Sequence, residues 1–501
     1  MRTSGYLETG VLISNLNKDI DRILSQIIPP GIECAVLDFP DYSNPGDSAI
    51  WLGQKAWLEK NSNPVVYVAD RNDYNPEARR SRIGAGMILI NGGGNFGDLW
   101  PDHQSFRERV VQDFPDNPIV QMPQSMHYRD PGRLEETASK LNGHSRLHLL
   151  WRDRESLDAA QKHFNARHSL CPDMAFVLER LVSEKIPEYS MVWLSRTDKE
   201  SGGNHAPSNL EGILVTDWIE EPESELVRLK AYLSTEIVQQ GFDRDGSLAE
   251  YMEVCDRLAR ERMTRGAEIL RSGRMVMTDR LHAHIFSLLL DIPHIILDNS
   301  YGKLSRFHRL WTSECRICLA LGNASDATPG KLSDTGFDEL LQEYGLSHEE
   351  SAERFGILVC GLESAREEAQ EWQEQVRMTV GRLDLMLPED STFLLIDDEQ
   401  FRPYLPEHRI PFCKVFARGG SEYMGPPADE REAMDTFEEL QRSGIRFTVV
   451  CWPSFWWMQH YPGLDKRIRS TGRLIHASDL LCIYETVDHP AAIETSGNIQ
   501  R

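Results

Sequence analysis

Residues 275–311 read MVMTDRLHAHIFSLLLDIPHIILDNSYGKLSRFHRLW, and this stretch decides the fold. A short apolar run ends at Thr278, the polar cluster Asp279, Arg280, His282 and His284 opens a helical pattern, and Ile285–Leu290 gives that helix its apolar face. A second apolar run, His294–Leu297, follows at once. Strand, helix and strand at this pitch build a parallel sheet covered by helices.

The same alternation extends in both directions. Upstream, Cys34–Phe39, Val65–Ala69, Met87–Asn91, Ile119–Met122 and Leu147–Trp151 read as buried parallel strands separated by amphipathic helices. Met191–Ser195 and Ile213–Thr216 join the second block, and the polar insert between them, TDKESGGNHAPSN, reads as a loop. The expected organisation is an N-terminal Rossmann-like lobe over 1–182 and a second over 183–345. A long amphipathic helical linker is expected over 346–388, with apolar residues every three or four positions from Phe355 to Leu383, and a smaller α/β domain over 389–501. Ligands of such open sheets bind at the carboxyl ends of the strands, in the cleft between lobes.

Composition narrows the function. The 501-residue chain carries a formal net charge of −24, which disfavours nucleic acid and anionic membranes as partners. Its nine cysteines follow no framework spacing, as in reduced, cytoplasmic proteins, and no apolar stretch is long enough to span a membrane. The pair Cys315 and Cys318 has no second pair nearby, which favours a structural role over zinc or redox chemistry.

Several loops at predicted strand ends carry candidate chemistry. NGGGNFGD, residues 91–98, offers Gly93, Gly94 and Asn95 to a phosphate, carboxylate or sugar. A nicotinamide dinucleotide fits poorly, because this is the third strand and no acidic residue ends the next one. NPGDSAIW, residues 44–51, begins another helix, where Asp47 either caps the helix or meets an acceptor hydroxyl. QMPQSMHYRD presents His127 and Arg129, and WRDRES presents Arg152 and Arg154 as paired holders of an anion or as a salt-bridged helix start. In the deciding stretch, Arg280, His282 and His284 at a positive helix end call for an anion, with Asp298 and Lys303 on the same rim. His282 and His284 are two apart on a helix and face different sides, so they make a poor metal pair.

Taken in order, NPGDSAI, GGGNFGD, QSMHY, RDRES, LCPDMAF, SRTDKE and TDRLHAHIFSLLLDIPHIILDNSYGK resemble the polysaccharide pyruvyl transferases, over about residues 30–320. The resemblance implies two Rossmann-like lobes similar to the GT-B glycosyltransferase architecture. It also implies phosphoenolpyruvate as donor and a sugar or lipid-linked glycan as acceptor, with no metal or redox cofactor. Arg280 and His282 would contact the donor, His127 would contribute, and a further arginine would be Arg152, Arg154 or Arg196. A histidine titrating near neutrality suits protonation of the donor's methylene carbon, which designates His282 first and His127 second. The family leaves the acceptor open, and leaves room for a homo-oligomer or other glycan-building proteins as partners. Alternative readings are a nucleotide-sugar glycosyltransferase on the same fold and a non-catalytic scaffold. YMGPPADEREA and VVCWPSFWWMQHYPG, near the C-terminus, resemble an accessory α/β segment of glycan-building proteins. The aromatics of the second stretch are expected to fill that segment's core.

Overall fold

A computed structural model of the chain describes residues 7–198, 212–240, 245–298, 302–321, 372, 374–398, 400–417 and 426–487. Two compact units divide it, Met1–Arg366 and Glu367–Arg501.

The first unit holds two parallel sheets. One comprises β1 (Cys34–Leu37), β2 (Val65–Ala69), β3 (Met87–Ile90), β4 (Gly93–Gly97), β5 (Ile119–His127), β6 (Leu147–Trp151) and β7 (Arg167–Leu170). Its order is β2-β1-β3-β5-β6-β7, with β4 paired to the far half of β5. The other comprises β8 (Tyr189–Leu194), β9 (Ile213–Thr216), β10 (Gly273–Thr278), β11 (His294–Ile296) and β12 (Cys318–Ala320), in the order β12-β11-β10-β8-β9. With β4 set aside and strands counted within each sheet, the orders are 2-1-3-4-5-6 and 2-1-3-4-5, both doubly wound, with the direction reversing beside the first strand. The reversal lies between β1 and β3 in one sheet and between β8 and β10 in the other. The loops leaving those strands carry NPGD, GGGN, SRTD and DRLH, so winding order alone brings four of the quoted motifs to crevice positions.

Burial explains the strand pattern. Cys34–Leu37 and Met87–Ile90 are buried at every position, as strands covered on both faces must be. One continuous apolar core runs through both sheets. Polar ties reinforce it: Trp51 Nε1 donates to Asp256 at 2.9 Å, and Arg262 donates to the Pro40 carbonyl at 2.9 Å. Lys230 is buried among Asp41, Asp70 and Asp73 at the end of β2.

The second unit contains β13 (Phe393–Ile396), β14 (Cys413–Val415), β15 (Phe447–Cys451), β16 (Gly472–Ala477) and β17 (Leu481–Thr486), ordered β14-β13-β15-β17-β16. Its last two strands run antiparallel. Of the aromatics expected in this core, Trp457 and Tyr461 are buried, Trp452 and Phe455 are half-buried, and Trp456 is exposed. Most of the Phe355–Leu383 periodicity and most of the TDKESGGNHAPSN insert lie outside the described residues. The helical segment 374–386 packs Val376, Val380 and Leu383 into the core of the second unit. Among the described residues no helix is long and apolar enough to cross a membrane.

Candidate active site

Asn44 starts the site by capping the Pro45–Lys60 helix. Its side chain accepts from the Gly46 amide at 3.1 Å and donates to Asp47 at 2.9 Å. The Tyr42 hydroxyl donates to the same Asp47 oxygen at 3.0 Å, so Asp47 is oriented from two sides. Gly46 has no alternative here. A Cβ on it would stand 2.3 Å from the Cβ, Cγ and Nδ1 atoms of His282, whose ring rests on the bare backbone.

Asp173 holds the other end of that ring. It caps the turn Met174–Leu178 through one oxygen, which accepts from the Ala175 amide at 3.0 Å. Its other oxygen accepts from Arg152 Nη1 at 2.6 Å and lies 3.4 Å from His282 Nε2. Burial works to raise the Asp173 carboxyl, but His282 and Arg152 together hold it well below the usual carboxylate range. The turn reaches this position because Gly53 lets the Met174 carbonyl approach to 2.0 Å from where a Cβ would sit.

Arg152 is fully buried at the end of β6. Its Nε donates to Ser125 at 3.0 Å, and its carbonyl accepts from Trp311 Nε1 at 2.7 Å. Its Nη2 is buried with no hydrogen-bond partner. That nitrogen is aimed at Gly94, where a Cβ would lie 3.0 Å from Nη2 and 2.1 Å from Lys303 Nζ. Two cations therefore converge on one bare stretch of backbone, one of them with a buried donor to spare.

The glycine loop differs from its expected form. Gly93–Gly97 is a short strand on β5, and the next helix begins only at Pro101, so the glycines do not line a helix start. Two amides of this segment are held by side chains: Asn95 N donates to Gln124 and Gly97 N to Gln104. The Asn95 side chain is held by Arg107 and Gln124, each at 2.8 Å. Glycine is needed because φ is +138° at Gly93 and +135° at Gly97, and because Lys303 and Arg152 crowd Gly94.

The remaining candidates have partners and places of their own. Arg280 is buried and forms a bidentate pair with Asp217 at 2.6 and 2.5 Å, with Asp198 at 3.1 Å. Much of the negative charge that its helix end calls for is thus supplied by the protein itself. Arg196 lies in the same carboxylate group, 3.5 Å from Asp198, and its amide donates to Asp279 at 2.9 Å. His284 faces away from His282, bonding His294 at 2.7 Å and Thr312 at 2.9 Å, because two residues on a helix turn the side chain about 200°. Arg154 is exposed at its helix start, whereas Arg152 is buried and bonded to Asp173. His127 is half-buried at the end of β5, in register with Gly97.

Comparison with known proteins settles the family. The family model described as polysaccharide pyruvyl transferase matches residues 44–301, from the Asn44 cap past the His282 helix. The chain belongs to the polysaccharide pyruvyl transferase family. "Pyruvyl transferase 1" of Schizosaccharomyces pombe is 34% identical over 296 residues, covering 56% of this chain and 70% of that protein. "Putative pyruvyl transferase EpsO" of Bacillus subtilis is 30% identical over 292 residues, covering 58% and 88%.

Within this transferase, sequence reasoning missed Asp173, Asp217 and Ser125 as partners of the site cations. Asp173 stood in the quoted LCPDMAF, where an aspartate after proline signals a turn cap, but nothing local reveals that its second oxygen meets Arg152 and His282. Asp217 follows β9 directly, a strand-end position open to the same logic that selected Arg152. Asp279 adds an unforeseen titrating group: burial above all pushes its carboxyl up to about 6, despite Arg196 and Arg280. Its Oδ2 is buried without a hydrogen-bond partner.

Proposed function

We propose that this enzyme transfers pyruvate from phosphoenolpyruvate to two hydroxyls of one sugar, closing a ketal on a glycan or its lipid-linked precursor. The observation that carries the reading is the meeting of Arg152 Nη2 and Lys303 Nζ at Gly94, with His282 held on Asp173, itself bonded to Arg152. Phosphoenolpyruvate brings a carboxylate and a phosphate. A guanidinium donor on buried backbone suits the planar carboxylate, and an ammonium suits the phosphate as a point charge.

His282, as imidazolium, then gives a proton to the methylene carbon, and the C2 cation formed is attacked by a first sugar hydroxyl. That hydroxyl passes its proton to the now neutral His282 as the new C–O bond forms, and the proton of the second hydroxyl leaves with the phosphate. A second hydroxyl of the same sugar displaces phosphate, closing the ring and releasing inorganic phosphate. Asp173 orients the imidazole and stabilises its charged form, which makes it a positioning residue. Asp47, oriented by Tyr42 and Asn44, accepts from an acceptor hydroxyl. No step of this scheme calls for a metal or redox cofactor. The two doubly wound sheets form the lobes of a GT-B-like cleft in this reading, and a donor from central metabolism places the reaction in the cytoplasm. The test is acceptor-dependent release of phosphate from phosphoenolpyruvate. Release that requires a sugar diol and leaves an acid-labile pyruvate on it supports the proposal, and no turnover across a panel of glycans contradicts it.

A further inference from the structure

We propose that His284, His294 and Cys318 form a structural binding site for a divalent cation of the zinc type, with His308 as fourth ligand. Sequence spacing does not show this set, because its members come from the Leu281–Leu289 helix, β11, β12 and the turn after the Lys303–Phe307 helix. In space, one ligand atom from each of His284, His294 and Cys318 falls within 4.8 Å of the others. His284 Nδ1 is 2.7 Å from His294 Nε2 and 3.7 Å from Cys318 Sγ; His308 Nδ1 is 3.8 Å from the same sulfur and 2.9 Å from the Thr312 hydroxyl, which must turn away for His308 to complete the set.

These spans suit coordination. Tetrahedral zinc with bonds of about 2.05 Å to nitrogen and 2.3 Å to sulfur sets nitrogen and sulfur about 3.6 Å apart. The two histidine nitrogens would part to about 3.3 Å, a rotation of two rings rather than a backbone change. The outer atoms are arranged as metal ligands require. His294 Nδ1 donates to the Ile292 carbonyl at 2.9 Å, leaving Nε2 as a lone pair directed at the cluster. His284 Nε2 lies 2.9 Å from the Thr312 hydroxyl, so it can carry that ring's proton and free Nδ1.

Chemistry narrows the ligand further. His284 and His294 are fully buried, where an imidazole is held as the neutral ligand only if both ring nitrogens find partners, as these do. A thiol must lose its proton to bind a cation, so uptake of each ion releases one proton from Cys318. Imidazole with one thiolate selects zinc over magnesium or calcium, which take oxygen. The site is closed and lies on the opposite side of the helix from His282, so its role is to tie helix, strands and turn together. The Trp311 bond to the Arg152 carbonyl links that turn to the active site.

The experiment is cobalt loading of the purified full-length enzyme, with elemental analysis for zinc before loading. Uptake of about one ion per chain is expected, with a thiolate-to-cobalt band that Cys318→Ser removes and Cys315→Ser retains. If Cys318→Ser fails to fold, His308→Asn serves instead and should alter the visible cobalt bands. Folded wild type that takes up no stoichiometric ion, or a band indifferent to Cys318→Ser, overturns the proposal and leaves the cluster a neutral hydrogen-bond relay.

Discussion

Asp173 stands 3.4 Å from His282 Nε2 while its same oxygen accepts from Arg152 Nη1 at 2.6 Å, so one buried carboxylate serves both the Arg152 guanidinium and the nearby imidazole. This arrangement makes the proposed proton donor and the proposed anion holder interdependent. Asp173→Asn should lower kcat by about 10²-fold or more, with a smaller change in KM for phosphoenolpyruvate. A merely structural role would change stability and leave the kcat of the folded enzyme in place. The sign of the stability effect also follows. A carboxyl held low contributes stability that is present above its unfolded value and lost as pH falls toward the folded one. Asp173→Asn should therefore flatten the acid side of a plot of Tm against pH.

His282→Gln separates chemistry from binding. The amide can still rest on Gly46, but it cannot deliver a proton. Phosphate release should fall by about 10²–10⁴-fold, with phosphoenolpyruvate affinity changed only a fewfold. Single-turnover assays and calorimetric titration check the two quantities separately.

Gly94→Ala and Gly97→Ala form a contrasting pair. At Gly94 the added methyl meets the flexible end of Lys303, so the fold survives and KM for the donor rises. At Gly97 it would lie 1.7 Å from the His127 carbonyl, at a φ of +135°. There the strain alone costs about 1–3 kcal/mol, and thermal unfolding should show the loss.

Asp279→Asn is expected to stabilise the enzyme at neutral pH. Burial raises this carboxyl from 3.8 to about 6, so the folded state pays for ionising it. That cost grows as pH rises between the two values and stays constant above them. Removing it should add up to about 3 kcal/mol at pH 7, and nothing at pH 3. Denaturant melts at the two pH values decide the matter.

The strands of the two parallel sheets were legible because buried parallel strands are short continuous apolar runs, and Val65–Ala69 and Leu147–Trp151 match residue for residue. Gly93–Gly97 and Arg167–Leu170 were missed because glycine and polar residues carry no such signal, and Cys318–Ala320 because three residues make too short a run. In the candidate site, Arg152, His282 and Lys303 could be selected as charged groups at strand and helix ends. Their partners could not be read off, because Asp173 lies 109 positions before His282 and Asp217 lies 63 positions before Arg280, a matter of winding rather than spacing. The same limit hid the contact of His284 with Cys318, 34 positions apart.

The most direct test of the central claim is thermal stabilisation by phosphoenolpyruvate, set against a panel of nucleotide sugars, on wild type and Lys303→Met. Donor at about 100 times its Kd should stabilise wild type by roughly 2.7 kcal/mol, and Lys303→Met should need far more donor for the same shift. Stabilisation by a nucleotide sugar and not by phosphoenolpyruvate would contradict the account and make the enzyme a glycosyltransferase.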